Sequence, residues 1–228
     1  MKQQQGTTLI TVLIVLVLMT LLGTIAVKTG ILGLKIATNS QVNNLLMGNS
    51  DSALFNVENP DQVARQLALD GMFAYLNSSA NANDELVFCY RASENSFFKL
   101  SKASAITPDG STTKIGVDGF CKANQFAMGR SAVLSQVYLT KNATTSTPFG
   151  GVPKGTSLGQ SNVPVTTNNI GATVISVLPS FAGATTTQIE SCFKQRASAV
   201  EACFEGLGIP YNMQHSDYTV GGQPKLIS

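Results

Sequence analysis

The sequence predicts an α+β chain in which a long N-terminal helix, apolar in its first half and amphipathic in its second, packs on a small C-terminal domain with an antiparallel sheet. Three observations predict it. The run from Leu9 to Val27 carries no charge. Apolar residues recur at helical spacing beyond Lys28, and later aromatic and aliphatic segments alternate with turn-forming stretches.

The apolar run is long enough to cross a bilayer, which takes about 20 mostly apolar residues. A secretory signal has a shorter core of roughly 7 to 15 residues and a small-residue cleavage site behind it. Here the far end reads Ala26-Val27-Lys28-Thr29, which offers no such site, and the small residue Gly6 stands in front of the run. A transmembrane helix over 9–27 tolerates Thr11, Thr20 and Thr24, because their hydroxyls bond back to carbonyls one turn earlier. Lys2 precedes the span and Lys28 and Lys35 follow it, so the charge bias does not set orientation. Four cysteines favour an oxidising compartment, which puts the C-terminal bulk in the periplasm.

The organisation follows: a leader over 1–6, a long helix over 7–57, and a globular domain over 58–228. After Lys28, residues Ile31, Leu34, Thr38, Val42, Leu45 and Phe55 approximate an apolar stripe, interrupted by the polar stretch Asn49 to Ser52. Without proline before Pro60, the helix would be on the order of 75 Å long. Gly23, Gly30 and Gly33 each cost about 1 kcal/mol relative to alanine, so bending or melting is expected there. Hydrophobic residues make up 43% and charged residues 12%, with a net charge of +2. That charge is far too small for a nucleic-acid binder.

Asn59 caps a second helix, with Pro60 in its first turn, Asp61 at its positive end and an apolar face reaching about Asn77. Strands are expected at Leu86 to Arg91 and Phe97 to Lys102, joined as a hairpin by Ala92 to Ser96, and again at Ser131 to Thr140 and Ala172 to Leu178. The segment Asn142 to Asn169, dense in Thr, Ser, Gly, Pro and Asn, reads as a long surface loop.

Four cysteines allow three pairings. Cys89 with Cys121 would close a loop onto the hairpin. Cys192 and Cys203 both fall in helix-forming sequence, about 16 Å apart along one continuous helix. A disulfide needs alpha carbons within roughly 7 Å. Either the helix breaks near Ala197 to Ala199 or the pairs are crossed, and the break is favoured.

Metal and cofactor chemistry is not expected. The sole histidine, His215, has no partners at zinc-ligand spacing, and Asp109 and Asp118 lack the alternating oxygen ligands of a calcium loop. Catalysis is not expected either, because a nucleophile needs a base and an orienting group. Glu190, Glu201 and Glu205 read as a solvated helix face, and Gly150-Gly151 and Gly221-Gly222 lack a phosphate-loop context.

The start of the chain, Gln5-Gly6-Thr7-Thr8-Leu9-Ile10-Thr11 and the long apolar helix behind it, resembles a type IV prepilin. More narrowly it resembles the PilX minor pilins, on glutamine before the glycine, no phenylalanine after it, the string Leu18-Met19-Thr20-Leu21-Leu22-Gly23, and Ala37-Thr38-Asn39. The match covers about the first 55 residues. The resemblance implies cleavage after Gly6 by a prepilin peptidase, with Thr7 as an N-methylated new terminus. It implies residence in the inner membrane before assembly and then in a pilus, among other minor pilins and the major pilin and beside a tip adhesin.

One departure bears on position. Major pilins carry glutamate at the fifth mature residue, thought to pair with a neighbour's terminal amine, whereas this chain has Thr11. A buried amine without a counter-charge is costly, so an internal place is disfavoured and a place at the tip is expected. Two rivals share the features: a K-type pseudopilin of type II secretion, whose large helical insertion this chain looks too short to hold, and an uncleaved single-pass periplasmic binding protein or enzyme.

Overall fold

The computed structural model describes residues 5–94, 98–129, 132–142, 167–181, 183–221 and 225–226. The chain divides into two compact units, Met1–Val42 and Asn43–Ser228. One helix, α1 (Gln5–Glu58), contributes to both. Its helical backbone is continuous through Gly23, Gly30 and Gly33, where melting was expected. Propagation adds a hydrogen bond for each residue fixed, so long flanking turns carry isolated glycines.

Within the second unit, the last turns of α1 bury Leu46, Asn49, Ser50, Ala53 and Val57, spaced three or four apart. The stripe expected through Leu45 and Phe55 is therefore misplaced; Phe55 is 72% exposed. Asn49 and Ser50, from the polar stretch expected to interrupt the stripe, are part of the buried face. Ser50 hydrogen-bonds into the sheet, and Asn49 Nδ2 donates to the Leu45 carbonyl at 2.8 Å.

Asn59 caps as expected, its Oδ1 accepting from Asp61 N at 2.9 Å. The single helix expected to Asn77 is three pieces: a 3₁₀ turn Pro60–Gln62, α2 (Val63–Gln66) and α3 (Met72–Leu76). The break centres on Gly71. A Cβ there would lie 2.5 Å from the Arg65 carbonyl oxygen and 2.6 Å from that of Gln66, so the chain can turn this tightly only on glycine. Bridges from Ala68 to Lys225 and from Gly71 to Lys99 fix the turn.

The sheet comprises β1 (Glu85–Tyr90), β2 (Ser104–Ile106), β3 (Leu134–Lys141), β4 (Thr167–Val177) and β5 (Tyr211–Gly221). Its order is β2-β1-β3-β4-β5, with every pair antiparallel. The expected hairpin partner of β1 is wrong. Leu100–Lys102 is a 3₁₀ turn, residues 95–97 lie outside the described residues, and β2 starts after that turn. The aromatic pair Phe97-Phe98 suggested a strand, yet Phe98 is buried as a packing residue, stacked edge-on against Phe88 with ring centroids 5.8 Å apart. Residues 143–166 of the expected loop lie outside the described residues, and Thr167 to Asn169 belong to β4.

Strand alternation sends the sheet's side chains into two cores. On one face Leu86, Phe88, Val137, Leu139, Ile170 and Val174 meet Ala53 and Val57 of α1 and Met72, Phe73 and Leu76 of α3. On the other, Val87, Leu134, Tyr138, Ile175 and Val177 meet α4 (Thr186–Phe193) and α5 (Ala197–Gly206). These two helices connect β4 to β5. Thr185 and Gln188 form a capping box at the start of α4.

Candidate functional site

The apolar half of α1 is the first candidate. Every described side chain from Thr8 to Ile31 is exposed, including Leu9, Leu13, Leu16, Leu22 and Ile25. Keeping a leucine or isoleucine in water rather than burying it costs roughly 1.5 to 3 kcal/mol. A contiguous apolar surface of this extent is therefore covered, in any aqueous setting, by lipid or by other apolar helices. The helix is long and apolar enough to span a membrane.

Its polar groups are satisfied from within. Thr11 Oγ1 donates to the Thr8 carbonyl at 2.9 Å, Thr20 to Val17 at 2.9 Å and Thr24 to Leu21 at 2.8 Å. Thr11 thus occupies its position with a self-contained hydroxyl and brings no charge to the helix surface. Gly6 and Thr7 lie in the first turn of α1, which starts at Gln5.

The cysteines form the second feature. Cys89 on β1 is bonded to Cys121, and Cys192 on α4 to Cys203 on α5, with Cα separations of 4.7 and 5.6 Å. The helix between the latter pair does break, at Lys194 to Arg196 rather than at Ala197 to Ala199. Glu85 explains the position. Its Oε2 accepts from Ala197 N at 2.9 Å and its Oε1 pairs with Arg196 at 3.0 Å, so a carboxylate from β1 caps the new helix start.

The three glutamates are not brought together into one site. Glu190 accepts from Ala123 N at 3.0 Å, while Glu201 accepts from the Tyr211 hydroxyl at 2.6 Å, which pushes that phenol up to about 12. Thr107 donates to Asp109, which holds its carboxyl below the usual range. His215 bonds Thr173 Oγ1 through Nδ1 at 2.9 Å and approaches Asp217 at 3.5 Å through Nε2.

A third feature was not legible in the sequence. Near the start of β1, a cleft of about 340 Å³ is lined by Ala82, Asn83, Asp84, Pro108, Thr140, Lys141 and Arg196. Asp84 is buried and accepts from Tyr75 Oη at 2.7 Å and from Lys114 Nζ at 2.6 Å. Burial first, and then Asp84, push the Tyr75 phenol well up. These residues come from separate elements, and no local motif links them.

The fold and these features define a class: an α+β protein with one N-terminal helix of membrane-spanning length and a sheet domain crossed by two disulfides. No family model, curated protein or solved structure matches the chain.

Proposed function

We propose that the chain is a minor pilin of a type IV pilus, similar to the PilX pilins, acting in a tip complex that initiates assembly and supports adhesion. The observation that carries the reading is Gly6 standing directly ahead of an apolar run, Leu9 to Val27, whose described side chains are all exposed. Cleavage behind the apolar run would discard it; cleavage at Gly6 keeps it in the product. The retained helix can leave the bilayer only for another apolar environment, which the helical centre of a filament supplies. Thr11 supports a place at the tip, since no neighbour's amine then depends on a carboxylate at that position. The disulfide-crossed domain fits exposure outside the cell.

Mass spectrometry of the chain from cells with active prepilin peptidase tests the reading. The expected mature form starts at N-methylated Thr7 and is found in sheared pili. An intact Met1 leader would overturn it.

A further inference from the structure

Strand β5 is one edge of the sheet, and two bonds fix which of its residues face outward. Leu178 N donates to the Pro210 carbonyl at 3.2 Å, and Asn142 N to the Asn169 carbonyl at 3.0 Å. Carried along the unbroken register, they make Asn212, Gln214, Ser216, Tyr218 and Val220 the residues that exchange backbone bonds with β4. Met213, His215, Asp217 and Thr219 therefore turn their N–H and C=O groups away from the sheet, where no described residue receives them. Their side chains are exposed as well.

Edge strands are ordinarily guarded against pairing with another chain by shortness, proline, lysine or a bulge. The opposite edge is guarded: β2 is three residues long and buried, and Gly119 N packs onto it, donating to Ser104 Oγ at 3.0 Å. Strand β5 has none of these devices. It runs from Tyr211 to Gly221 without proline or lysine, in continuous register with β4.

Charge narrows the kind of partner. Asp217 lies on the strand, Glu58 Oε1 accepts from Ser216 Oγ at 3.0 Å on the α1 face, and Glu201 Oε1 accepts from Tyr211 Oη at 2.6 Å on the α5 face. None of these carboxylates pairs with a lysine or arginine among the described residues, and His215, 3.5 Å from Asp217, offsets at most one of them when protonated. Strands β4 and β5 carry no lysine or arginine, and Lys141, the basic residue of β3, is two strand spacings, about 10 Å, from β5. The edge is therefore acidic on both faces. A second copy of the chain would bring the same carboxylates to the junction, so charge favours an unlike partner.

We propose that the open edge of β5 takes up an extended, basic segment of a partner protein as a sixth strand of the sheet. Backbone bonds to Met213, His215, Asp217 and Thr219 hold the segment. Lysine or arginine side chains on its two faces meet Asp217 on one side and Glu58 on the other. The inference concerns the sheet domain alone and does not rest on the filament reading.

The test is titration of the full chain in detergent micelles with a synthetic peptide that alternates lysine with valine, read by calorimetry and by amide hydrogen exchange in NMR. Comparison peptides carry glutamate in place of lysine, or N-methyl groups that block backbone pairing. In the free chain the amides of Met213, His215, Asp217 and Thr219 should exchange quickly and those of Gln214, Ser216 and Tyr218 slowly. The lysine peptide is expected to bind with a Kd on the order of 0.1 mM and to slow the first set at least about tenfold. Met213→Pro removes an outward N–H and leaves the bonds to β4 in place, so it should weaken binding about threefold to tenfold. Asp217→Lys, which keeps the backbone intact, should weaken it at least about threefold. Absence of binding by the lysine peptide would overturn the proposal. So would equal binding of the glutamate or N-methylated peptide, slow exchange of the outward amides in the free chain, or indifference to Asp217→Lys.

Discussion

Ser50 on α1 donates a 2.8 Å hydrogen bond to Ser176 on β4, and both side chains are fully buried. Ser176 in turn shares a 2.7 Å hydrogen bond with Ser135 on β3, and Ser52 meets the Tyr90 hydroxyl at 2.9 Å. Tyr90, Ser135, Ser176 and Asn212 are one transverse row of the sheet. A hydroxyl row, and not an apolar patch, therefore receives this part of the helix. Such a contact is specific in register, because a buried hydroxyl without its partner is costly.

Removing the central hydroxyl is the direct test. Ser176→Ala leaves both Ser50 and Ser135 short of a partner and should cost about 1 to 3 kcal/mol. Thermal unfolding followed by circular dichroism reads the loss. Hydrogen exchange should quicken across the turns around Ser50 more than at the chain's other helices.

The same row shows why the helix register was hard to read in the sequence. Asn49 and Ser50 look like surface residues; a facing hydroxyl row receives Ser50, and Asn49 turns its amide back onto the Leu45 carbonyl of its own helix. The central strands β1, β3 and β4 were legible because their Val, Ile, Leu, Phe and Tyr residues suit buried pleated surface. Strand β5 was not, since Asn212, Gln214, Ser216 and Asp217 give an edge strand no hydrophobic alternation. Both disulfides were within reach of spacing arguments. The cleft was not, because Asn83, Pro108, Thr140 and Arg196 meet only through sheet pairing and the connection between two helices.

The two disulfides should differ in worth. Cys89–Cys121 spans 32 residues and Cys192–Cys203 spans 11. Loop-closure entropy in the unfolded chain then gives about 3.7 kcal/mol for the first and about 2.8 kcal/mol for the second. Paired serine substitutions, compared by chemical denaturation, should rank in that order. The reverse order would mean that the loss of α4 and α5 packing outweighs chain entropy.

Gly119 should tolerate no side chain. A Cβ there would sit 2.2 Å from both Ser104 N and the Val87 carbonyl oxygen, which are backbone atoms of paired strands and cannot rotate away. Gly119 N also donates to Ser104 Oγ at 3.0 Å. Gly119→Ala should cost about 3 kcal/mol or more, at the upper end of overpacking penalties. Gly110→Asn, at an open turn position with φ of 84°, should cost much less in the same assay.

Alkaline pH should unfold the sheet domain. Burial holds the Tyr138 phenol well above its ordinary range, and burial followed by hydrogen bonding to Asp84 does the same for Tyr75. A folded pKa above the unfolded value of about 10 means that the folded state favours the neutral phenol. This stability is complete below about pH 10 and is lost as pH rises through the folded pKa. Phenolate absorbance from Tyr75 and Tyr138 should therefore appear only together with loss of the dichroic signal. Full phenolate absorbance with the dichroic signal intact would contradict the burial argument.

Thr11→Glu asks whether position in the filament depends on the missing carboxylate. In the wild-type chain Thr11 Oγ1 donates to the Thr8 carbonyl and brings no negative charge to a neighbour's amine. Glutamate at this position would lie on an otherwise uncharged apolar helix. Alone in a bilayer it costs a few kcal/mol, but paired with an amine in a filament it is compensated. A tip subunit so altered should enter the shaft, lowering initiation and spreading immunogold label along pili instead of confining it to their ends. Thr11→Gln keeps the size without the charge and should leave label at the ends. Unchanged piliation and end-only label for Thr11→Glu would show that placement is set elsewhere, with the sheet domain the remaining source of contacts.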